Sequence, residues 1–159
     1  AVFGMIFVIC GTIQMVSYIS FNQNCKGYLT RASNANTVEM ASAELKRAIT
    51  YLEENEMTKG YTSVLWRTPD EDIGFWYNNL VVSAKELDSI PKTATLVDKS
   101  NMLIKLRETL TNSNKDGEYT IVPDGLQVYP NNLLFGILNI VCIVMVIIFG
   151  LLFVNSRDY

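Results

Sequence analysis

The placement of charge constrains this chain more than any motif does. No charged residue occurs before Lys26, and none lies between Asp124 and Arg157. Of 13 basic and 16 acidic side chains, all but Arg157 and Asp158 fall in the middle. An ionised side chain is costly inside hydrocarbon, so long charge-free runs are what a bilayer selects. The average of 18% charged residues therefore conceals two apolar ends around a soluble centre.

The second apolar run, Leu133 to Val154, would be about 33 Å long as a helix, enough to cross a hydrocarbon core of about 30 Å. Asn131, Asn132 and Asn155 bracket it, and Tyr129 and Tyr159 stand where interfacial aromatics lie. The first run, AVFGMIFVICGTIQMVSYISF, is more polar, but it is longer than a secretory core and has no basic start. We read residues 1–22 as a retained transmembrane helix, 132–155 as a second one and 156–159 as a short tail. The protein is then an integral, two-pass chain with its domain, 23–131, on one side of the bilayer. The basic residues near the spans favour an internal domain, but long loops translocate largely regardless of flanking charge, and the near absence of cytoplasmic tails leans the expectation towards an extracytoplasmic one.

Within the domain, Val38, Ala41, Leu45, Ala48 and Leu52 alternate steps of three and four, the seam of an amphipathic helix over about 34–58. Gly60 is expected to terminate it. YTSVLW, 61–66, reads as a short extended segment. Thr68-Pro69-Asp70-Glu71 has the form of a capping box with proline at the first helical position. A second helix follows over about 68–88, with Ile73, Trp76, Leu80, Ala84 and Leu87 on its seam. Pro91 interrupts, and a third helix over about 93–111 places Leu96, Leu103, Leu106 and Leu110 on one face. Residues 112–117 read as a loop and 118–129 as extended, with a turn at Pro123-Asp124-Gly125. The fold class is mainly α: two transmembrane helices flanking a small extramembrane helical bundle with one or two short extended segments. Three helices leave the chain at the wrong end for re-entry, so 118–130 either crosses back extended or folds into a hairpin. Pairing of 61–66 with 119–128 at the far tip is one possibility.

The chemistry is sparse. No histidine occurs, which removes the usual proton shuttle, Ser-His and Cys-His pairs and histidine metal sites. There is no CxxC pair and no phosphate-binding glycine pattern, and the acidic balance lacks a basic stripe for nucleic acid. Cys10 and Cys142 lie in the spans, which leaves Cys25 as an unpaired thiol at the membrane boundary or a cross-link between chains. Glu53, Glu54 and Glu56 with Asp70, Glu71 and Asp72 are expected at one tip, as a solvated, partly ion-paired cluster rather than a calcium site.

No catalytic, cofactor-binding or metal residue is therefore assigned, and no cofactor. Trp66, Arg67, Phe75 and Tyr77 are the candidates for binding a protein partner, since Trp, Tyr and Arg anchor interfaces. Gly4, Gly11, Gln14 and Asn139 are candidates for helix contacts inside the bilayer. Two spans around a small helical domain resemble, in architecture alone, the ligand-sensing modules of bacterial chemoreceptors and sensor kinases. The expected function is that of a non-enzymatic membrane protein acting through a protein partner or its own copies, an accessory or structural subunit. The alternative is an extracytoplasmic four-helix-bundle-like sensing domain that signals through a partner.

Overall fold

A computed structural model describes residues 2–115 and 117–155 of the chain; Asp116 and the 156–159 tail with Tyr159 lie outside the described residues. The fold is mainly helical, with one two-stranded sheet. Two helices are long and apolar enough to cross a membrane: Gly4–Ser33, mean hydropathy 1.7, and Asn132–Gly150, mean hydropathy 2.9. Only 11% and 6% of their most apolar stretches are buried, so the rest of the chain does not cover these side chains.

The first apolar helix does not stop where its charge-free run ends. α1 (Val2–Phe21) passes through one π turn (Asn22–Lys26) directly into α2 (Gly27–Ser33), a continuous rod about 48 Å long. The wide turn depends on glycine. Gly27 N–H donates to the Asn22 carbonyl five residues back, and a Cβ at Gly27 would lie 2.9 Å from that oxygen. Across the turn, Phe21, Cys25, Leu29 and Ala32 form a stripe that is buried along its whole length.

That stripe packs on α3 (Val38–Glu54), which runs back along α2. Thr37 caps α3 by accepting from Met40 N–H at 3.2 Å. The seam read from sequence, Val38, Ala41, Leu45, Ala48 and Leu52, is buried throughout. Glu44 joins the two helices: it accepts from Arg31 at 2.9 Å and lies 3.6 Å from Arg47, and both guanidiniums sit over the Tyr28 ring. At the other end of α3, Tyr51 meets Phe21 edge-on, with ring centroids 6.2 Å apart. This is the base of the bundle, where the apolar helices emerge.

α4 (Ile73–Ser89) runs antiparallel to α3. Tyr77 reaches Glu53 near the base, while Ser42 and Lys46 both bind Asp88 at the distal end. Its seam, Ile73, Trp76, Leu80, Ala84 and Leu87, is also buried as the spacing predicts. α5 (Leu96–Leu110) descends again and closes the core with Leu106 and Leu110. A hairpin of β1 (Thr111–Asn114) and β2 (Gly117–Thr120) follows, then a turn closed by Leu126 N–H on the Pro123 carbonyl. α6 (Asn132–Asn155) then runs alongside α1.

Several expectations need correction. The domain has four descending and ascending helical segments, not three, because α2 continues the first apolar helix. The fourth removes the re-entry problem: α5 already delivers the chain to the base. Residues 61–66 form no strand, only the isolated Tyr61–Asp72 bridge, and 119–128 does not pair with them. Residues 112–117, expected as a loop, lie largely in the hairpin, which is clipped to α5 by Arg107 and Glu118; of 118–129, only the first three residues are strand. α3 ends at Glu54 rather than near residue 58. Met57 N–H reaches the Leu52 carbonyl and Glu56 N–H reaches Glu53, with Glu56 itself left-handed, so Glu56 does the work expected of Gly60. Thr68 and Glu71 bracket a 3-10 turn, Pro69–Glu71, and the true cap of α4 is Asp72, accepting from Phe75 N–H at 3.0 Å. A reciprocal capping box sits instead at Thr95 and Asp98, opening α5. Leu96 is 84% exposed, because it lies in the first turn of α5, at the distal end, and joins none of the buried seam.

Because the close approach at Gly27 is to backbone, Gly27→Ala must displace the π turn. We expect a loss of about 1–3 kcal/mol, measured as thermal unfolding of the full chain in detergent, with Leu29 becoming more accessible.

Candidate functional site

Where α1 meets the bundle, the side chains leave an open cleft of about 780 Å³. One wall is Tyr18, Phe21 and Lys26 on the first helix; the opposite wall is the 3-10 turn and the first turns of α4; the hairpin root and residues 121–127 form the floor. Each wall is fixed by local chemistry. Trp76 belongs to the buried seam of α4, and its indole N–H donates to the Ile121 carbonyl at 3.1 Å, which ties the floor to α4. Ile121 N–H donates to the Leu110 carbonyl at 2.8 Å, and the Thr30 and Thr120 hydroxyls meet at 2.8 Å.

The lining is aromatic and acidic. Asp70, Glu71, Asp72 and Asp124 line the cleft against a single cation, Lys26, among the described residues. The Thr68 hydroxyl, donating to Glu71 at 2.6 Å, holds that carboxyl below the usual range. Carboxylates beside exposed aromatic faces suit a positively charged group. Among the described residues, no group of three or more Cys, Asp or Glu side chains is placed to hold a metal ion. The acids of the α3–α4 connection lie at the base, occupied with hydrogen bonds: Glu53 with Tyr77, Glu71 with Thr68, and Asp72 with the α4 backbone.

The four candidate partner residues do not share one surface. Phe75 is exposed and lines the cleft. Trp66 is exposed on the preceding loop, and the Arg67 guanidinium lies 5.2 Å over the Tyr61 ring; neither residue lines the cleft. Tyr77 turns to α3 instead, packs against the core and donates to Glu53 at 2.6 Å. Burial, with the Glu53 carboxylate second, pushes its hydroxyl up to about 12. In the apolar helices, Gln14 donates to Asn139 at 3.5 Å, a long bond within one chain. A Cβ at Gly4 or Gly11 would meet nothing within 4 Å, so α6 does not close on those glycines.

Comparison with protein-family models, with curated proteins and with solved structures finds no match to this chain. The cleft itself was not foreseen from sequence. It gathers Tyr18, Asp70 and Asp124, which are far apart along the chain and carry no mutual signal until the helix parity is known.

Arg107 and Glu118 clip the hairpin beside the floor to α5. Arg107, and then Thr111, hold the Glu118 carboxyl at about 2. A folded pKa this far below the free-chain value of about 4.3 gives stability that is present above about pH 4.3 and lost as pH falls towards about 2. We expect the wild-type melting temperature to fall through that window and Glu118→Gln to show a shallower acid limb. Added salt should narrow the difference, because the pair is exposed.

Proposed function

We propose that this is a two-pass membrane protein whose helical domain sits at one bilayer surface and works through protein contacts, as a non-enzymatic accessory or structural subunit. One observation carries the proposal. α4 and α5 each bury one seam and leave a second apolar seam bare: Phe75 and Val82 on α4, Val97 and Ile104 on α5, each pair seven residues apart and so on one face. Exposed apolar positions that share one helix face form a patch on which a partner can dock. The open glycines of α1 offer a second surface, within the bilayer, where another helix can approach closely. In this proposal the domain lies on the extracytoplasmic side, a placement its basic residues do not oppose in a loop of this length.

A sensing role is the second proposal, supported by the acidic aromatic cleft and by α1 and α2 being one rod. A cationic ligand pressed between α1 and α4 would act on the first span without an intervening joint.

The subunit proposal is tested by cross-linking in native membranes, extraction in mild detergent and sizing. The wild-type chain should run as a defined complex or oligomer. Val97→Asp with Ile104→Asp should weaken it about tenfold, equivalent to about 1.4 kcal/mol, while thermal stability holds. A chain that is monomeric from the outset, or a complex indifferent to both changes, contradicts it.

A further inference from the structure

The loop between α3 and α4 is fastened at its root and bare at its crown. Thr62 N–H donates to the Glu71 carbonyl at 3.1 Å and Ile73 N–H to the Gly60 carbonyl at 3.0 Å, so the limbs run antiparallel through the Tyr61–Asp72 bridge. Thr68 and Glu71 lock the far limb, and Arg67 stacks back over Tyr61. Between these fastenings stand Val64, Leu65 and Trp66, which are 46%, 77% and 76% exposed. Three consecutive apolar side chains held out on a braced loop form an exposed apolar patch.

The root of the loop fixes where this patch stands. Gly60 is pressed against Tyr129, so closely that a Cβ there would lie 2.5 Å from the tyrosine oxygen, and the Tyr129 hydroxyl donates to the Lys59 carbonyl at 2.9 Å. α6 begins three residues after Tyr129. On the other limb, Pro69 to Asp72 share the cleft with Tyr18 and Phe21, which belong to α1. Both limbs thus stand level with the points where the apolar helices leave the bundle. The loop covers the N-terminal end of α4, the end that faces the base.

We propose that Val64, Leu65 and Trp66 dip into the headgroup–acyl boundary of the bilayer that holds α1 and α6, forming a third point of attachment for the domain. This rests on the two-pass arrangement proposed above. The loop is rooted against Tyr129, just before α6, and beside the cleft that Tyr18 and Phe21 of α1 line, so its bare side chains lie at the end of the bundle from which both apolar helices emerge. Tryptophan at this depth keeps its ring among the headgroups, as interfacial aromatics do. Arg67 beside it can bury its stem while its charge stays in the headgroup layer.

The test is tryptophan quenching in phosphatidylcholine vesicles carrying the full chain, with bromine either on shallow acyl carbons of the lipid or absent. The chain has two tryptophans, and Trp76 is buried, so the difference between wild type and Trp66→Phe isolates Trp66. Shallow bromines should remove about half or more of the Trp66 emission, and aqueous iodide should remove little, as for interfacial aromatics. Quenching by iodide but not by bromine overturns the proposal in favour of water. Protection from both overturns it in favour of a protein cover, either a second copy or another chain. An alkaline carbonate wash separates the two levels of the claim. If the chain washes off the vesicles, the two-pass arrangement fails. If it stays while Trp66 ignores the bromines, only the loop assignment fails.

Discussion

The burial of Cys25, Leu29 and Ala32 against α3 is the contact on which the rest depends. Through it a single helix changes environment along its length: apolar on all sides up to about Phe21, then amphipathic with one stripe in a packed core. The π turn at Asn22–Lys26 lies at this change of environment, and one inserted turn of wider pitch resets which face of the rod points where. Everything downstream inherits its position from that join. α3 is placed by α2, α4 by α3, and the hairpin root by Trp76 and Thr30.

A consequence is that the base of the bundle is crowded and the distal end is plain. Tyr18, Phe21, Tyr51, Tyr61 and Tyr129 all gather near the point where the apolar helices emerge. Acids of the α3–α4 connection gather there too, with Glu71 and Asp72 bonded in the turn that opens α4 and Glu53 bonded to Tyr77. The distal end carries the Asp88 cluster, with the buried Ser42 and the exposed Lys46, and the exposed cap of α5. In the arrangement we propose, the region nearest the bilayer is therefore both the most aromatic and the most tightly tied. Exposed pairs such as Lys105 with Glu86 add little to that, since charges in water are well screened.

The periodic parts of the fold were legible before any coordinates. The seams of α3 and α4 follow from three-and-four spacing, because a helix that packs on one side must repeat its apolar residues that way. The stripe Phe21, Cys25, Leu29 and Ala32 has the same spacing. A boundary drawn at residue 22 cuts across it, because Asn22, Gln23 and Asn24, which interrupt the apolar run, lie on the other face of the same helix. Glu56 in a left-handed conformation and Asp72 as a cap are local choices that tertiary packing made against the more obvious Gly60 and Thr68. Leu96 has the right spacing but no partner at its height. The cleft and the setting of Trp66 depend on which ends of four helices coincide. No local pattern encodes that once the parity is miscounted by one.

Amide hydrogen exchange on the full chain in a lipid nanodisc tests the join most directly. A continuous rod predicts slow exchange from residue 22 through residue 33, comparable with α3 and without a gap where the apolar run ends. Fast exchange across 22–27, with protection returning only at residue 38, would mean a flexible tether between span and domain, and would contradict this account of the structure.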